Sequence, residues 1–424
     1  MKPLYALMDG NNFFVSCERV FDPRLNGRPV VILSGNDGCV IARSEEAKAL
    51  GIPMGVPYFK VRSLCGQGLV ALSANHILYA DMSARMMRIV KGFTPRMEVA
   101  SVDECFLDVS HLPKDVLLEY AHGIQKSIRE CLGLPVSIGI GPNKTLAKLA
   151  NRCAKTAHHY ASLPGLCLLP EVRGLDALLA QTPVEDIWGV GRATVRHMHY
   201  RGVFDGLALK ALRQHAVFAQ LNVVFQRTVL ELNGQACFPL GEVDQNPHSI
   251  AYTRSFSKKI TSWIDVQEAI SAFTSHAAAR MRKQKCMAGA LMVFIRAGHL
   301  KETPGKGSGS CIVSFSSTQD TCLLIREATR ALEQIFREGC TYRRAGLVLM
   351  DICPLTDQED VLFETKDCVK EREPLMKAID AINGKFGGKG VYFGAVPGGQ
   401  PWVCLPKNAS RRYTTHVDEL MCVR

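Results

Sequence analysis

Short apolar runs that end in acidic side chains constrain this chain more than any other feature of it. Asp103-Glu104 stands between Met97-Glu98-Val99-Ala100 and Cys105-Phe106-Leu107-Asp108-Val109, and Asp9 closes Leu4-Tyr5-Ala6-Leu7-Met8. Runs of this length fit β-strands. Two readings are open at this level. Strand-end Asp and Glu are commonly solvated turn residues. Gathered by a fold, they are the oxygen ligands of divalent ions that serve phosphoryl or nucleotidyl transfer.

The order of elements decides whether they can meet. Residues 4–8, 29–33, 40–42 and 69–73 read as strands, followed by a helix over 80–90 with Met82, Met86, Ile89 and Val90 at helical spacing. The hairpin bearing Asp103-Glu104 comes next, then a helix over 116–131, a strand over 136–140 and a helix over 144–154. Strand, helix, two antiparallel strands, helix, strand, with an insertion after the first strand, is the split βαβ arrangement. It makes the first strand a neighbour of the hairpin and brings Asp9 towards Asp103 and Glu104.

The length of 424 residues predicts two to four domains, and 47% hydrophobic with 21% charged residues fits a globular protein. No apolar run approaches the roughly 18 residues of a membrane span. The N-terminus lacks a signal-peptide layout, and the sixteen cysteines include no CxxC pair. The expected place is therefore a reducing cytoplasm, with no membrane partner. The net charge of +11 is uneven: residues 243–352 hold fifteen basic and nine acidic side chains, residues 353–424 ten of each. The surplus favours a polyanion, such as nucleic acid, over a merely solvated basic surface.

Residues 171–235 read as helical. Within them Ile187-Trp188-Gly189-Val190-Gly191 forms a glycine turn followed by Arg192, Arg196 and Arg201. It is either a tight connection or a helix-hairpin-helix turn that offers backbone N–H groups of Gly189 and Gly191, with Arg192, to a DNA phosphate. Residues 248–352 repeat the split βαβ frame with a basic surface that includes Arg254, Lys258 and Lys259. The last seventy residues show no clear period and read as a loosely structured extension for partners. Gly139-Ile140-Gly141-Pro142-Asn143-Lys144-Thr145 lacks the Walker spacing. The helix it opens carries Lys144, Lys148, Arg152 and Lys155 on one face. Such a stripe is either a solvated face or the cationic partner of a triphosphate.

Three segments together carry a family resemblance: 7–18 (LMDGNNFFVSCE), 100–108 (ASVDECFLD) and 137–155. They resemble the core motifs of the Y-family, lesion-bypass DNA polymerases. Asn36-Asp37-Gly38-Cys39-Val40-Ile41-Ala42-Arg43 and Arg412-Tyr413-Thr414-Thr415 are similar to the UmuC branch, the catalytic subunit of bacterial DNA polymerase V and its plasmid-borne relatives. The likeness runs nearly end to end.

The resemblance implies an α+β multidomain fold. Its parts would be a ferredoxin-like palm (1–29 and 76–170), small fingers (30–75), a helical thumb with a helix-hairpin-helix (171–242), a ferredoxin-like little finger that binds DNA (243–352) and a C-terminal partner-binding extension (353–424). It implies an error-prone translesion polymerase of the SOS response, using dNTPs on primer-template DNA without proofreading. Asp9, Asp103 and Glu104 match the catalytic metal-binding carboxylates, with the Gly10 carbonyl a further ligand, for two Mg²⁺ ions. Phe14 matches the steric gate that excludes a ribose 2′-hydroxyl, although many members have Tyr there. Phe13, Lys48 and Lys155 match nucleotide-binding positions. Glu45 replaces a customary Tyr, and Arg43 is a substitute phosphate contact. Gln358, Leu362 and Phe363 resemble a sliding-clamp peptide. A UmuD′-type dimer and a RecA-type filament are the implied partners. Two other classes compete: a nucleotidyl cyclase with the same carboxylates, which has no duplex to hold, and a catalytically silent DNA-binding subunit.

Overall fold

The computed structural model describes residues 3–156, 161–169, 174–241, 248–298, 307–355, 366–386, 390–396 and 406–420. They belong to two compact units. The first comprises Met1–Val243 with Pro406–Arg424, and the second Asp244–Leu405. The chain thus leaves the first unit, builds the second and returns.

The first unit begins with β1 (Tyr5–Gly10) and α1 (Phe13–Phe21). An inserted layer follows: β2 (Val30–Leu33), β3 (Val40–Arg43), α2 (Glu45–Ala49), α3 (Tyr58–Val61) and β4 (Val70–Ser73). Its sheet, ordered β3-β2-β4, has a small core of its own around Val31, Leu33, Val40, Ala47 and Ile52. The main frame resumes with α4 (His76–Phe93), β5 (Met97–Val99), β6 (Glu104–Asp108), α5 (Leu117–Leu132), β7 (Val136–Gly141), α6 (Lys144–Thr156) and β8 (Leu166–Leu168). The main sheet runs β5-β6-β1-β7-β8. The expected split βαβ core is present, and β8 adds a parallel edge strand beside β7 that the sequence reading did not include.

Side-chain alternation on β1 sets up the site. Ala6 and Met8 join Cys105, Leu107, Ile138 and Ile140 in the core packed by α4 and α5. Tyr5 and Leu7 turn the other way, with Phe106 against Ala147 of α6. Asp9 and Glu104 continue that second row, and they are direct cross-strand partners. The helix α6 reaches this face because β7 offers it glycines. A Cβ on Gly139 would stand 2.0 Å from the Asn151 nitrogen, and one on Gly141 would stand 2.7 Å from the Ala147 nitrogen. The segment that is not a Walker loop is therefore a bare surface for a helix to lie on.

A helical layer follows in α7 (Leu175–Ala180), α8 (Arg192–Tyr200), α9 (Gly206–Ala211) and α10 (Val223–Leu232). Its core is continuous with Leu146, Leu149, Ala150 and Cys153 of α6. Glu231 fastens the two. Its fully buried carboxylate accepts the Thr145 N–H at 2.9 Å and those of Cys237 and Phe238 at 3.0 and 3.1 Å, while its main-chain carbonyl accepts Asn143 Nδ2 at 2.7 Å. The Thr145 N–H is one of the orphan donors of the first turn of α6. Glu231→Ala would leave the buried Thr145 amide and the half-buried amides of Cys237 and Phe238 without that acceptor. A stability loss of about 3 kcal/mol is expected, read as a lower denaturant midpoint, and a change below about 0.5 kcal/mol would contradict this role.

The second unit contains β9 (Ile250–Ile260), α11 (Trp263–Lys283), β10 (Cys286–Ala297), β11 (Gly309–Thr318), α12 (Thr321–Ile335) and β12 (Tyr342–Pro354). The order of elements repeats the split βαβ frame, as the sequence reading expects, but the pairing differs. This sheet is ordered β11-β10-β12-β9, so its first strand is an edge, whereas β1 is central in the first unit. Arg254, Lys258 and Lys259 therefore stand on an edge strand, and all three are exposed.

The reading of the last seventy residues as loosely structured is corrected. A helix, α13 (Lys366–Lys385), packs in the second unit through buried Met376 and an Arg282–Asp380 pair with contacts of 2.6 and 2.7 Å. Pro374 inside it hides the helix from a periodicity argument. Residues 406–420 rejoin the first unit, where Ala409 bridges in parallel to Ser73 at the end of β4.

Candidate active site

The carboxylates come together through register. Asp9 lies opposite Glu104, and the Gly10 N–H donates to the Asp103 carbonyl at 2.8 Å, which draws the loop bearing Asp103 alongside. The Asp103 carboxylate accepts the Ser101 hydroxyl at 2.5 Å. Lysines of α6 face the other two: Lys155 Nζ is 2.6 Å from Asp9 Oδ1, and Lys148 Nζ is 3.0 and 3.2 Å from the Glu104 oxygens. Burial pushes the Asp9 carboxyl above its usual range, Asp103 and Glu104 add to the shift, and Lys155 opposes it. The other two members of the basic stripe go elsewhere. Lys144 pairs with Glu98 at 2.6 Å, and Arg152 pairs with Asp186 at 2.6 Å.

Among the described residues no group of three acidic, His or Cys side chains stands gathered at metal-holding distance. Two carboxylates are instead compensated by ammonium groups. The donor set nonetheless suits a hard divalent cation: three carboxylates at the ends of adjacent strands, all oxygen donors. Asp9, Glu104, Lys148, Arg152, Lys155 and Trp188 line a cavity of about 390 Å³. A larger hollow of about 470 Å³ beside α5 contains none of the three carboxylates, so charge and register identify the site rather than size.

Phe14 lies half-buried on the first turn of α1. Its ring stacks on Tyr79 with centroids 4.4 Å apart and planes 14° from parallel, and meets His76 edge-on at 6.2 Å. The side chain of Phe13 is in the core at 3% exposure, so a nucleotide contact there is left to its main chain. Asn12 caps α1 in a left-handed conformation with no side-chain capping hydrogen bond, which leaves the first-turn N–H groups uncapped by it.

The inserted layer does not bring Arg43 or Lys48 to the carboxylates. The Arg43 guanidinium donates to the Ile52 carbonyl, and its Nε is buried without a hydrogen-bond partner. Lys48 pairs with Glu45 at 2.6 Å, and Glu45 accepts from Asn12 at 3.0 Å. Glu45, noted only as a departure from the family pattern, is thus a tie between α2 and the start of α1. Arg19 and Glu46 make a second tie at 2.8 Å.

Gly189, Gly191 and Arg192 are exposed on the helical layer, where the turn joins a single 3₁₀ turn (Val184–Asp186) to α8. Gly189 adopts φ +87°, which favours glycine. Trp188, unremarked in the sequence reading, packs near Phe106 with Lys148 Nζ 5.1 Å over its ring. Its only sequence signal was its place beside the glycines. Arg254, in the other unit, lies 5.3 Å over the Tyr252 ring on the edge strand β9. Gln358, Leu362 and Phe363 lie outside the described residues.

Comparison with known proteins matches residues 8–152 to the impB/mucB/samB family and residues 247–361 to the C-terminal domain of that family. Residues 373–423 match a domain of unknown function, DUF4113. The chain is 35% identical to Protein UmuC of Salmonella typhimurium, over 99% of this chain and all of that one. It is 36% identical to Protein SamB of Salmonella typhimurium, over 97% of each. A solved Y-family DNA polymerase chimera of Dbh and Dpo4 is similar in fold, with a TM-score of 0.67 at 20% identity over 83% of this chain and 99% of that one.

Proposed function

The chain belongs to the impB/mucB/samB family, the UmuC type of Y-family DNA polymerase, and from that premise we propose that Asp9, Asp103 and Glu104 are its catalytic metal ligands. The protein is a DNA-directed DNA polymerase of error-prone translesion synthesis. Polymerases of this fold depend on divalent metal, and Mg²⁺ is the ion assigned here, with the Gly10 carbonyl as a further ligand. The observation that carries the assignment is the Asp9–Glu104 cross-strand pair with Asp103 drawn beside it. Bound there, two such ions supply activation of the primer 3′-hydroxyl and charge neutralisation at the leaving pyrophosphate.

The residues of the chain do the positioning. Lys155 and Lys148, now on Asp9 and Glu104, would be available to the triphosphate with divalent cations on those carboxylates. The uncapped first-turn amides of α1, Phe13 included, offer further donors to it. Phe14 stands as the gate against the sugar. Arg43 and Lys48 support the inserted layer rather than touch phosphate in the arrangement described. Lys155→Ala is expected to raise the KM for dNTP about tenfold while kcat falls less, measured by steady-state insertion, and an unchanged KM would remove Lys155 from triphosphate binding.

Primer-template DNA is the proposed polyanion. Gly189, Gly191 and Arg192 of a thumb (171–242) would hold its phosphates, as would Arg254 of a little finger (243–352). The palm (1–29 and 76–170), the fingers (30–75) and the partner-binding extension (353–424) complete the domain proposal. Reliance on a UmuD′-type dimer and a RecA-type filament, and a sliding-clamp contact through Gln358, Leu362 and Phe363, belong to the same proposal and rest on the resemblance. No helix among the described residues is long and apolar enough to cross a membrane, and a place at the bacterial nucleoid is proposed from the activity. Primer extension on intact and abasic templates, with the partners, Mg²⁺ and dNTPs supplied, tests the whole. Template-dependent synthesis past the abasic site is expected, and its absence despite confirmed partner binding would overturn the reading.

A further inference from the structure

The ring that stands at the sugar is not held by its own helix alone. Phe14 stacks on Tyr79, which is 1% exposed, and the Tyr79 hydroxyl donates to Glu18 Oε1 at 2.7 Å. Glu18 is also buried, at 1% exposure, and its second hydroxyl donor comes from the far end of the chain: Ser410 Oγ, 3.0 Å from the same oxygen. Ser410 is itself placed by Asn75, which donates to Ser410 Oγ at 2.9 Å and to the Arg411 carbonyl at 3.1 Å while capping α4 through Leu78 N–H. The segment around it is fastened on both sides. Asn408 and Ser73 exchange hydrogen bonds at 2.9 and 3.0 Å, and Tyr413 stacks on Phe21 with centroids 4.9 Å apart.

From this we infer that Ser410 is a specificity-determining positioning residue: through Glu18 and Tyr79 it fixes where the Phe14 ring stands, and so sets how strictly the enzyme rejects ribonucleotides. The inference rests on the reading of Phe14 as the sugar gate. Its physical basis is the cost of a buried carboxylate that loses a donor. Glu18 without Ser410 would re-aim at its remaining partner, and the Tyr79 hydroxyl would move with it. A stacked ring follows the ring beneath it. Steric exclusion is steep in distance, so a displacement well below 1 Å matters at a 2′-hydroxyl but little to a 2′-hydrogen. Nothing in this chain of contacts touches the carboxylates Asp9, Asp103 or Glu104, so sugar choice and rate should separate.

The test is single-nucleotide insertion by the full-length protein with its partners. It compares kcat/KM for dCTP and CTP in wild type, Phe14→Ala, Tyr79→Phe, Ser410→Ala, Ser410→Thr and the Tyr79→Phe/Ser410→Ala double variant. For Ser410→Ala the dCTP-over-CTP ratio should fall about three- to tenfold while dCTP insertion changes less than about twofold. Tyr79→Phe should do the same, the double variant should fall no further than the lower single one, and Ser410→Thr should restore the ratio. Two outcomes overturn the inference with the gate intact. In one, Phe14→Ala relaxes the ratio and neither Ser410→Ala nor Tyr79→Phe does. In the other, Ser410→Ala slows dCTP and CTP equally, as simple loss of folded protein would. An unchanged ratio in Phe14→Ala would instead remove the gate reading, and this inference with it.

Discussion

Asp103→Ala is expected to lower single-turnover nucleotide incorporation by at least about a thousandfold, roughly 4 kcal/mol in the barrier, while leaving the fold and primer-template binding in place. The separation follows from how Asp103 is attached. Its main-chain carbonyl accepts the Gly10 N–H, a bond that alanine keeps, and among the described residues its side chain bonds the neighbouring Ser101 hydroxyl at 2.5 Å and no other group. Stability should therefore change by less than about 0.5 kcal/mol, as for a part-exposed loop side chain outside the core. Removing the carboxylate leaves Asp9 and Glu104 to face their lysines with one oxygen donor group fewer for a divalent ion. Raising Mg²⁺ should recover little, because the missing group is a ligand and not an affinity aid. A variant that extends primers at near the wild-type rate would show that Asp103 is not a ligand. A protein inactive in both forms despite bound partners would point to the silent subunit instead.

Phe14→Ala should relax discrimination against ribonucleotides by about ten- to two-hundredfold, the range that one missing or added apolar group commands in a shaped pocket. The direction is set by the observed stack: the ring lies 4.4 Å from a buried Tyr79 that cannot retreat into solvent. Deleting it opens space for a 2′-hydroxyl. Phe14→Tyr should retain discrimination, since it keeps the ring and its stack. Deoxynucleotide insertion by Phe14→Ala should stay within about tenfold of wild type, because the carboxylates are untouched. Competing CTP against dCTP on one template gives the ratio directly, and no change would take Phe14 out of the gate role.

Much of the palm-like frame was legible because it is local. Strand-sized apolar runs and their split βαβ order were enough to put Asp9 close to Asp103 and Glu104, and spacing by three and four put four cations on one helix face. What each cation met was not legible, since Lys144 and Arg152 pair with Glu98 and Asp186 rather than with the site. Pairing between distant strands also leaves no local trace, which is why β9 was not foreseen as an edge. Glu231, the Glu45–Asn12 tie and the tail at Glu18 rest on partners dozens to hundreds of residues away, and single buried polar contacts have no periodicity to betray them. Helix α13 was missed for a different reason, the proline within it.

The return of residues 406–420 to the first unit also puts a clock into the protein. Ser410 is separated from Glu18 by 392 residues, all of the second unit among them. At roughly 5–20 residues per second, a ribosome needs on the order of 20–80 s to travel between them. During that interval the emerging first unit can assemble its carboxylates and its α6 lysines, but Glu18 must wait for its second hydroxyl and β4 for its companion segment. A nascent chain that stalls within the second unit would carry every residue of the proposed metal site and lack the strap behind Phe14. Completion of the first unit is thereby tied to translation of the second.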